Sequence, residues 1–386
     1  MVIFLLVLLL SLIIFYAILQ TDFSGIVKFF LVVIEMILVS QFLVRRYKLP
    51  TEMGFILLKS DKGIGLIDKF SRMREGWQFF SDVGSTLSYG LLSLFIMRRN
   101  TSWKSVLLGL TLLCVISMVI APFSIIFLKK VLVGATMLEK NGAFNSIGTE
   151  NIALLSFLLM LLGGFFAVLL LSIVYYGLFV FAQIILFLLG SANTLSATTP
   201  GGTLLLPGVN LPFLEGLIAI LVIMVAHEGS HAILARIAKV PIRSSGVVLF
   251  GVIPVGAFVE PDEKILERKD ATSQTRVLVA GSTANFISSV IFFLLFAITV
   301  LILKSGLVGT SADFGYQLFH FIYITTGLVF SLNFVVATVN LLPLPFFDGY
   351  RILEINIQNK NIVKAVMLIT LGAFILNFLP HFFSAI

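Results

Sequence analysis

The sequence predicts an all-α polytopic membrane protein with eight to ten transmembrane helices. Hydrophobic residues make up 59% of the chain and charged residues only 12%, whereas soluble globular chains have roughly 45–50% apolar and about 25% charged residues. The apolar residues also form runs of about 20 residues or more, each long enough to cross a bilayer as a helix. These runs lie at 3–19, 26–44, 105–128, 152–190, 213–235, 277–303, 317–342 and 361–383.

Three segments, one of them the long run at 152–190, need separate interpretation. The run at 83–97 is short for a span, and the run at 152–190 would reach almost ~60 Å as a straight helix, so it predicts two spans or a span with a re-entrant piece. The segment 45–80 is the one extended water-facing stretch early in the chain. Its residues "GFILLKSDKGIGLIDKFSRM" predict a short turn followed by an amphipathic piece at the membrane surface.

The charge pattern predicts the orientation of the C-terminal half. The formal net charge is +7, but the basic residues lie in short loops beside spans, which does not indicate a nucleic-acid partner. Loops 191–210 and 305–316 contain no Lys or Arg, whereas 240–275 and 343–360 contain several. The positive-inside rule therefore places the loops 240–275 and 343–360 in the cytoplasm. The single cysteine, Cys114, excludes an internal disulfide.

The stretch "VAHEGSHAILAR" at 225–236 places two of the four histidines of the chain inside an apolar run. His227 and His231 are one helical turn apart and project from one face, and Glu228 lies beside them. This is the H-E-x-x-H spacing, in which two imidazoles bind Zn²⁺ and the glutamate acts as general base. The alternative is a polar turn packed between helices. Because an ionisable residue at mid-membrane costs about 2.5–3.5 kcal/mol, three in one turn favour a bound metal.

A catalytic zinc site usually has three protein ligands. His320 and His381 lie at or near the predicted outer ends of spans, so both are interpreted as interfacial residues. Asp348, in "NLLPLPFFDGY" at 340–350, follows a span that returns to the cytoplasmic side. Two prolines break the helix there, which is tolerated at membrane depth where the backbone is buried or lines a cavity. Asp348 could simply cap the next helix; beside the histidine pair, the ligand role is favoured.

The motifs "HEGSH", "AGSTANF" at 280–286 and "NLLPLPFFDG" at 340–349, in this order, resemble the site-2 protease family of intramembrane zinc metalloproteases. The resemblance covers 207–356. Within the family, the sequence is similar to archaeal-type members without a PDZ domain. It implies a three-helix metalloprotease core and, at 246–263, a short membrane-associated β-hairpin. It further implies that His227, His231 and Asp348 bind one Zn²⁺ and that Glu228 is the catalytic base. Asn285 and Asn340 would belong to the two asparagine motifs of the family.

The resemblance divides the chain into three parts. Residues 1–200 form an accessory transmembrane region that includes the cytoplasmic segment 45–80. Residues 207–356 form the catalytic core, and 357–386 form a C-terminal transmembrane helix.

Small and polar residues around the motif predict its supporting contacts. Gly281 and Asn285 share a small-residue face, which packs helices closely in membranes, and Asn285 can then hydrogen-bond into the site. Asn340 is predicted to orient a ligand, Pro343 to shape the loop before Asp348, and Asn333 to serve in packing. Gly229 replaces a bulkier residue that is common in the family and loosens the helix by up to about 1 kcal/mol.

The predicted activity is hydrolysis of peptide bonds within or near the membrane spans of tethered substrates. The resemblance suggests membrane-bound regulators such as transcription factors or anti-sigma factors, first cut by another, site-1-type protease. We expect a multi-pass protein of the cell membrane with its site nearer the cytoplasmic side. One alternative is a metal transporter or scaffold, although 105–128 and 152–190 contain no His, Asp or Glu. Another is a prenyl-protein type of peptidase, which takes a glutamate ligand instead.

Overall fold

The structure is a computed structural model. It describes residues 2–23, 25–52, 55–60, 62–97, 101–131, 149–191, 194, 198–203, 205, 207–208 and 210–383.

The N-terminal half consists of helices with one short pair of strands. Two apolar helices, α1 (Val2–Leu19) and α2 (Gly25–Tyr47), are followed by the strands β1 (Thr51–Glu52) and β2 (Phe55–Ser60). The helices that follow are α3 (Lys62–Phe70), α4 (Arg74–Tyr89), α5 (Ser93–Ile96), α6 (Trp103–Val115), α7 (Ala121–Val131) and α8 (Thr149–Leu188). A π-helical turn, Ile116–Ile120, joins α6 to α7.

The C-terminal half contains three long helices, a β-hairpin and shorter helices. The histidine segment is α9 (Phe213–Ile237), and the hairpin that follows is β3 (Ile242–Phe250) and β4 (Ile253–Pro261). The remaining helices are α10 (Glu263–Leu266), α11 (Ala271–Lys304), α12 (Phe314–Val339), α13 (Asp348–Asn356), α14 (Lys360–Phe378) and α15 (Pro380–Phe383).

The predicted all-α, multi-pass architecture is confirmed. Among the described residues seven helical segments are long and apolar enough to cross a membrane. The predicted range of eight to ten also counted the apolar segments that form α1 and α2. The short run at 83–97 belongs to a longer candidate span, Arg74–Ile96, which starts earlier than its hydrophobicity indicates.

Two helix breaks meet inside the bundle. The long segment predicted at 152–190 is a single helix, α8, that is interrupted at Gly164, where φ is +63°. The chain also breaks after α4 at Gly90, where φ is +56°. A Cβ on Gly164 would lie 2.4 Å from the Ser88 carbonyl oxygen, and one on Gly90 would lie 2.4 Å from that of Leu161. Only glycine allows both the positive φ and this approach of two backbones.

The hairpin predicted at 246–263 is present as β3 and β4, but it belongs to a larger sheet. The strands are antiparallel in the order β1-β2-β3-β4. Residues 55–60 lie in the predicted water-facing segment, at the place where a short turn was predicted. They instead form a strand that pairs with β3, so that Leu58 lies opposite Val247. A strand in the N-terminal region was therefore missed, because its partner lies almost 190 residues later in the sequence.

The centre of the bundle is made by α9, α11 and α12, and α4 packs along α11. Aromatic side chains also join this centre to α8; the Phe165 ring of α8 stacks on the Phe286 ring of α11 with centroids 4.9 Å apart. Helices of the N-terminal region therefore pack against the predicted three-helix core.

Candidate metal centre

Helix α9 places the two histidines of the motif on one face. It begins after Pro212 and ends before Lys239, whose φ of +59° turns the chain toward the strand β3. The Nε2 atoms of His227 and His231 are 3.1 Å apart, and His227 is buried. The helical spacing in the sequence therefore produces the expected convergence of two imidazoles.

A tight loop brings Asp348 to the same point. After α12 ends, Gly349 donates its N–H to the Asn340 carbonyl at 2.9 Å, and a Cβ on Gly349 would lie 1.9 Å from the Leu341 carbonyl oxygen. Phe347 occupies the N-cap position of α13. The Asp348 carboxylate instead lies 3.2 Å from His231 Nε2 and 3.5 Å from His227 Nε2.

The three side chains fit a tetrahedral metal ion. Among the described residues they are the one group of three or more such donors that could share an ion. Tetrahedral zinc with ligands at about 2.0–2.2 Å requires donor atoms about 3.3–3.5 Å apart. The three donor separations, 3.1, 3.2 and 3.5 Å, match these edges. Two imidazoles and a carboxylate are a donor set that zinc uses in catalytic sites, where a fourth position stays open.

Each histidine has a second contact that orients its ring. His231 Nδ1 donates to the Val277 carbonyl oxygen at 2.7 Å, which leaves Nε2 free as a ligand. His227 Nδ1 lies 3.0 Å from the Asn285 side-chain nitrogen, while Asn285 Oδ1 is buried without a partner among the described residues. Turning this amide by 180° lets Oδ1 accept from Nδ1–H. That orientation pairs Asn285 Oδ1 with the Nδ1–H of His227 and frees His227 Nε2 for a metal.

Asn340 contacts the carboxylate. Its side-chain N–H donates to Asp348 Oδ2 at 2.8 Å, and the same nitrogen lies 2.9 Å from His227 Nε2. Both asparagines singled out in the sequence therefore lie at the site. Asn333, predicted to serve in packing, is buried and donates to the Val329 carbonyl of its own helix.

Gly281 explains how α11 approaches the histidine helix so closely. A Cβ at this position would lie 2.4 Å from His227 Cε1 and 2.4 Å from His231 Nε2. Pro343 is buried in the loop between α12 and α13.

Glu228 is half-buried on α9, between the two histidines in sequence. The two other histidines are engaged elsewhere. His320 stacks on Tyr316 with centroids 6.1 Å apart, and His381 hydrogen-bonds to the Gly202 carbonyl oxygen at 2.8 Å.

Two supporting features have no signal in the sequence. The Val277 contact uses a backbone carbonyl, which every residue has. The docking of α4 on α11 rests on an ion pair in which Arg276 binds Asp82 with two bonds of 2.7 and 2.9 Å. These two residues are 194 positions apart.

Comparisons with known proteins cover part of the chain, including the histidine helix. An uncharacterized protein of Methanocaldococcus jannaschii is 34% identical over 77 residues, which are 20% of this chain and 21% of that protein. The matched part is thus about a fifth of the relative's length. No solved structure matched the chain. The model of Peptidase family M50 matches residues 215–327, which include the H-E-x-x-H motif and all of α11. This match supports the assignment of the chain to the site-2 protease family that the motifs predicted.

Proposed function

We propose that the protein is an intramembrane zinc metalloprotease that hydrolyses peptide bonds within or near the spans of membrane-tethered substrates. The observation that carries this proposal is the convergence of His227, His231 and Asp348 within tetrahedral distances beside Glu228. The match to Peptidase family M50 supports a membrane metalloprotease in general.

In the proposed reaction each side chain has one task. His227, His231 and Asp348 would hold the zinc ion, which would supply Lewis-acid chemistry for a water molecule and a peptide carbonyl. The Glu228 carboxylate accepts a proton from the attacking water and donates it to the leaving nitrogen. Asn285 holds the His227 ring, and Asn340 holds the carboxylate of Asp348.

The first experiment measures metal and cleavage together. Elemental analysis of the purified chain should give about one zinc per chain, lost in His231→Ala and in Asp348→Ala. Glu228→Gln should retain zinc but not cleave single-span test proteins in vesicles. Glu215→Gln, on the first turn of the same helix, is the control and should cleave normally. A wild type free of metal, or an active Glu228→Gln, contradicts the proposal.

A helical substrate must be unwound before its carbonyl can react, and β4 offers a place for an extended segment. The strand β3 pairs with β2 on one side and with β4 on the other. β4 is the last strand of the described sheet, so its outer edge has no partner strand there. β4 also packs beside α9: a Cβ on Gly256 would lie 3.3 Å from the Met224 side chain, one turn before His227. We propose that substrates add to β4 as a strand. Proline substituted at each non-proline position of β4 in turn should impair cleavage only at every second position, where the substrate strand would pair, while zinc content is retained. Equal cleavage by all of these proline variants contradicts the proposal.

The setting of this activity follows from the same proposal. We propose that the site faces the cytoplasmic side of the cell membrane, where the basic loops lie. The substrates would be membrane-bound regulators that another protease has already cut.

A further inference from the structure

One side of the short helix α3 packs against the C-terminal end of the histidine helix α9. Ile67 is buried in a cluster with Ile233 and Ile237 of α9. Asp68 binds Arg236 through two hydrogen bonds of 2.5 and 3.2 Å. The bonds from Arg236 lower the pKa of Asp68, which is therefore charged at neutral pH. This side of α3 is occupied by the protein itself.

The opposite side of α3 is apolar and exposed. The exposed fractions of Leu66, Phe70 and Met73 are 57%, 43% and 67%. Leu66 and Phe70 are one helical turn apart, and Met73 follows in the turn to α4. Basic side chains are exposed beside them, namely Lys69, Arg72 and Arg74. An apolar stripe bordered by basic residues is typical of helices that lie in the headgroup region of a bilayer.

The position of α3 along the bundle agrees with that placement. The candidate span that contains α4 begins at Arg74, directly after this stripe, and the span of α9 ends at Ile237, against which α3 packs. Both candidate spans end at this level of the bundle. With these helices across a bilayer, the exposed apolar side chains would lie where acyl chains meet headgroups, and the basic side chains would lie near the phosphates.

We propose that this face of α3 binds the anionic phospholipids of the membrane surface. The apolar side chains Leu66, Phe70 and Met73 would enter the acyl region, while Lys69 and Arg74 would contact lipid phosphates. Charge selects the partner: Lys69, Arg72 and Arg74 outnumber the neighbouring exposed acid Glu75, while Asp68 is paired with Arg236. Zwitterionic lipid therefore satisfies this face less well. The inference concerns the lipid around the protein and does not depend on the proposed protease activity.

The test uses the full chain with Cys114→Ser and Met73→Cys, labelled at the new cysteine with a fluorophore. It is reconstituted in phosphatidylcholine vesicles that contain phosphatidylglycerol. At equal mole fractions, one or the other lipid carries bromine on its acyl chains and quenches a nearby fluorophore. Brominated phosphatidylglycerol should quench more strongly. Removing both charges with Lys69→Gln and Arg74→Gln should lower the preference by up to about fivefold per residue.

A matched variant removes the same charge nearby. Lys264→Gln with Arg268→Gln changes two exposed basic residues at the same end of the bundle and should keep the preference. Equal quenching by the two lipids, or a preference that survives Lys69→Gln with Arg74→Gln, overturns the proposal. So does a label that only aqueous iodide quenches, because the face would then contact water or a soluble partner.

Discussion

At the residue scale, the metal centre depends on a missing side chain at Gly281. We expect Gly281→Ala to lower zinc affinity at least tenfold, because its Cβ would overlap both imidazoles at 2.4 Å. Gly229→Ala is the control: it lies on the histidine helix with nothing within 4 Å of an added Cβ and should stabilise the helix by up to about 1 kcal/mol. Zinc titration against a competing chelator measures both. Equal affinities in the two variants contradict the packing argument.

Asn285 is the second residue whose effect should appear in metal affinity. Asn285→Ala removes the partner of His227 Nδ1, and such outer contacts typically contribute about 10–100-fold to metal binding. Asn285→Asp should recover part of the loss, since a carboxylate also accepts from Nδ1–H. Asn333→Ala, which removes an equally buried amide bonded only to its own helix, should leave affinity unchanged. A loss as large in Asn333→Ala would mean that packing alone is responsible.

The residues that sequence patterns located are those that obey local geometry. His227 and His231 share a face because of helical periodicity, and two prolines indicated that the chain breaks before Asp348. Gly281 and Asn285 were predicted as a small polar face, with Asn285 hydrogen-bonding into the site. Their contacts with particular ring atoms depend on how α11 packs against α9, and no local pattern specifies that packing.

At the element scale, a buried ion pair joins α4 to α11. The side chains of Asp82 and Arg276 are only 8% and 17% exposed, so each charge is held largely away from water beside its partner. We expect Asp82→Ala to destabilise the protein by about 3 kcal/mol, because the largely buried Arg276 loses both hydrogen bonds to this carboxylate, whereas Asp82→Leu with Arg276→Met should recover most of the loss. Thermal unfolding in detergent measures both variants. A double variant as unstable as the single would show that the charges themselves are needed.

The same pair explains why sequence patterns recognised only the later part of α4. The part of this helix before residue 83 contains the charged residues Arg74, Glu75 and Asp82, which interrupt its hydrophobicity, so the predicted apolar run began only at 83. Arg276 compensates the charge of Asp82, and this compensation is visible only when both helices are in place. The strand β2 was missed for a comparable reason: a short apolar stretch becomes a strand only when a partner edge is available.

At the scale of the whole molecule, the N-terminal region packs closely against the part of the chain that carries the candidate metal centre. Strand β2 extends the sheet of β3, α3 packs on the end of α9, and α4 lies along α11. The predicted boundary between an accessory region and a core at 207 stays a prediction, but these contacts bear on what it can mean. Elements that share a sheet and a buried ion pair are not expected to fold independently.

This organisation leads to a prediction for separated halves. A chain that starts at residue 200 should bind little zinc, because α11 would lose the α4 partner of Arg276 and β3 would lose its pairing with β2. Coexpression with residues 1–199 should restore zinc binding by reassembly in the membrane. Gly246→Val in the second half should prevent that rescue, since its Cβ would lie 2.1 Å from the Leu58 carbonyl oxygen of β2. If residues 200–386 alone carried a full complement of zinc, the N-terminal region would be an accessory in the literal sense, and its contacts with the sheet and α11 would serve another purpose.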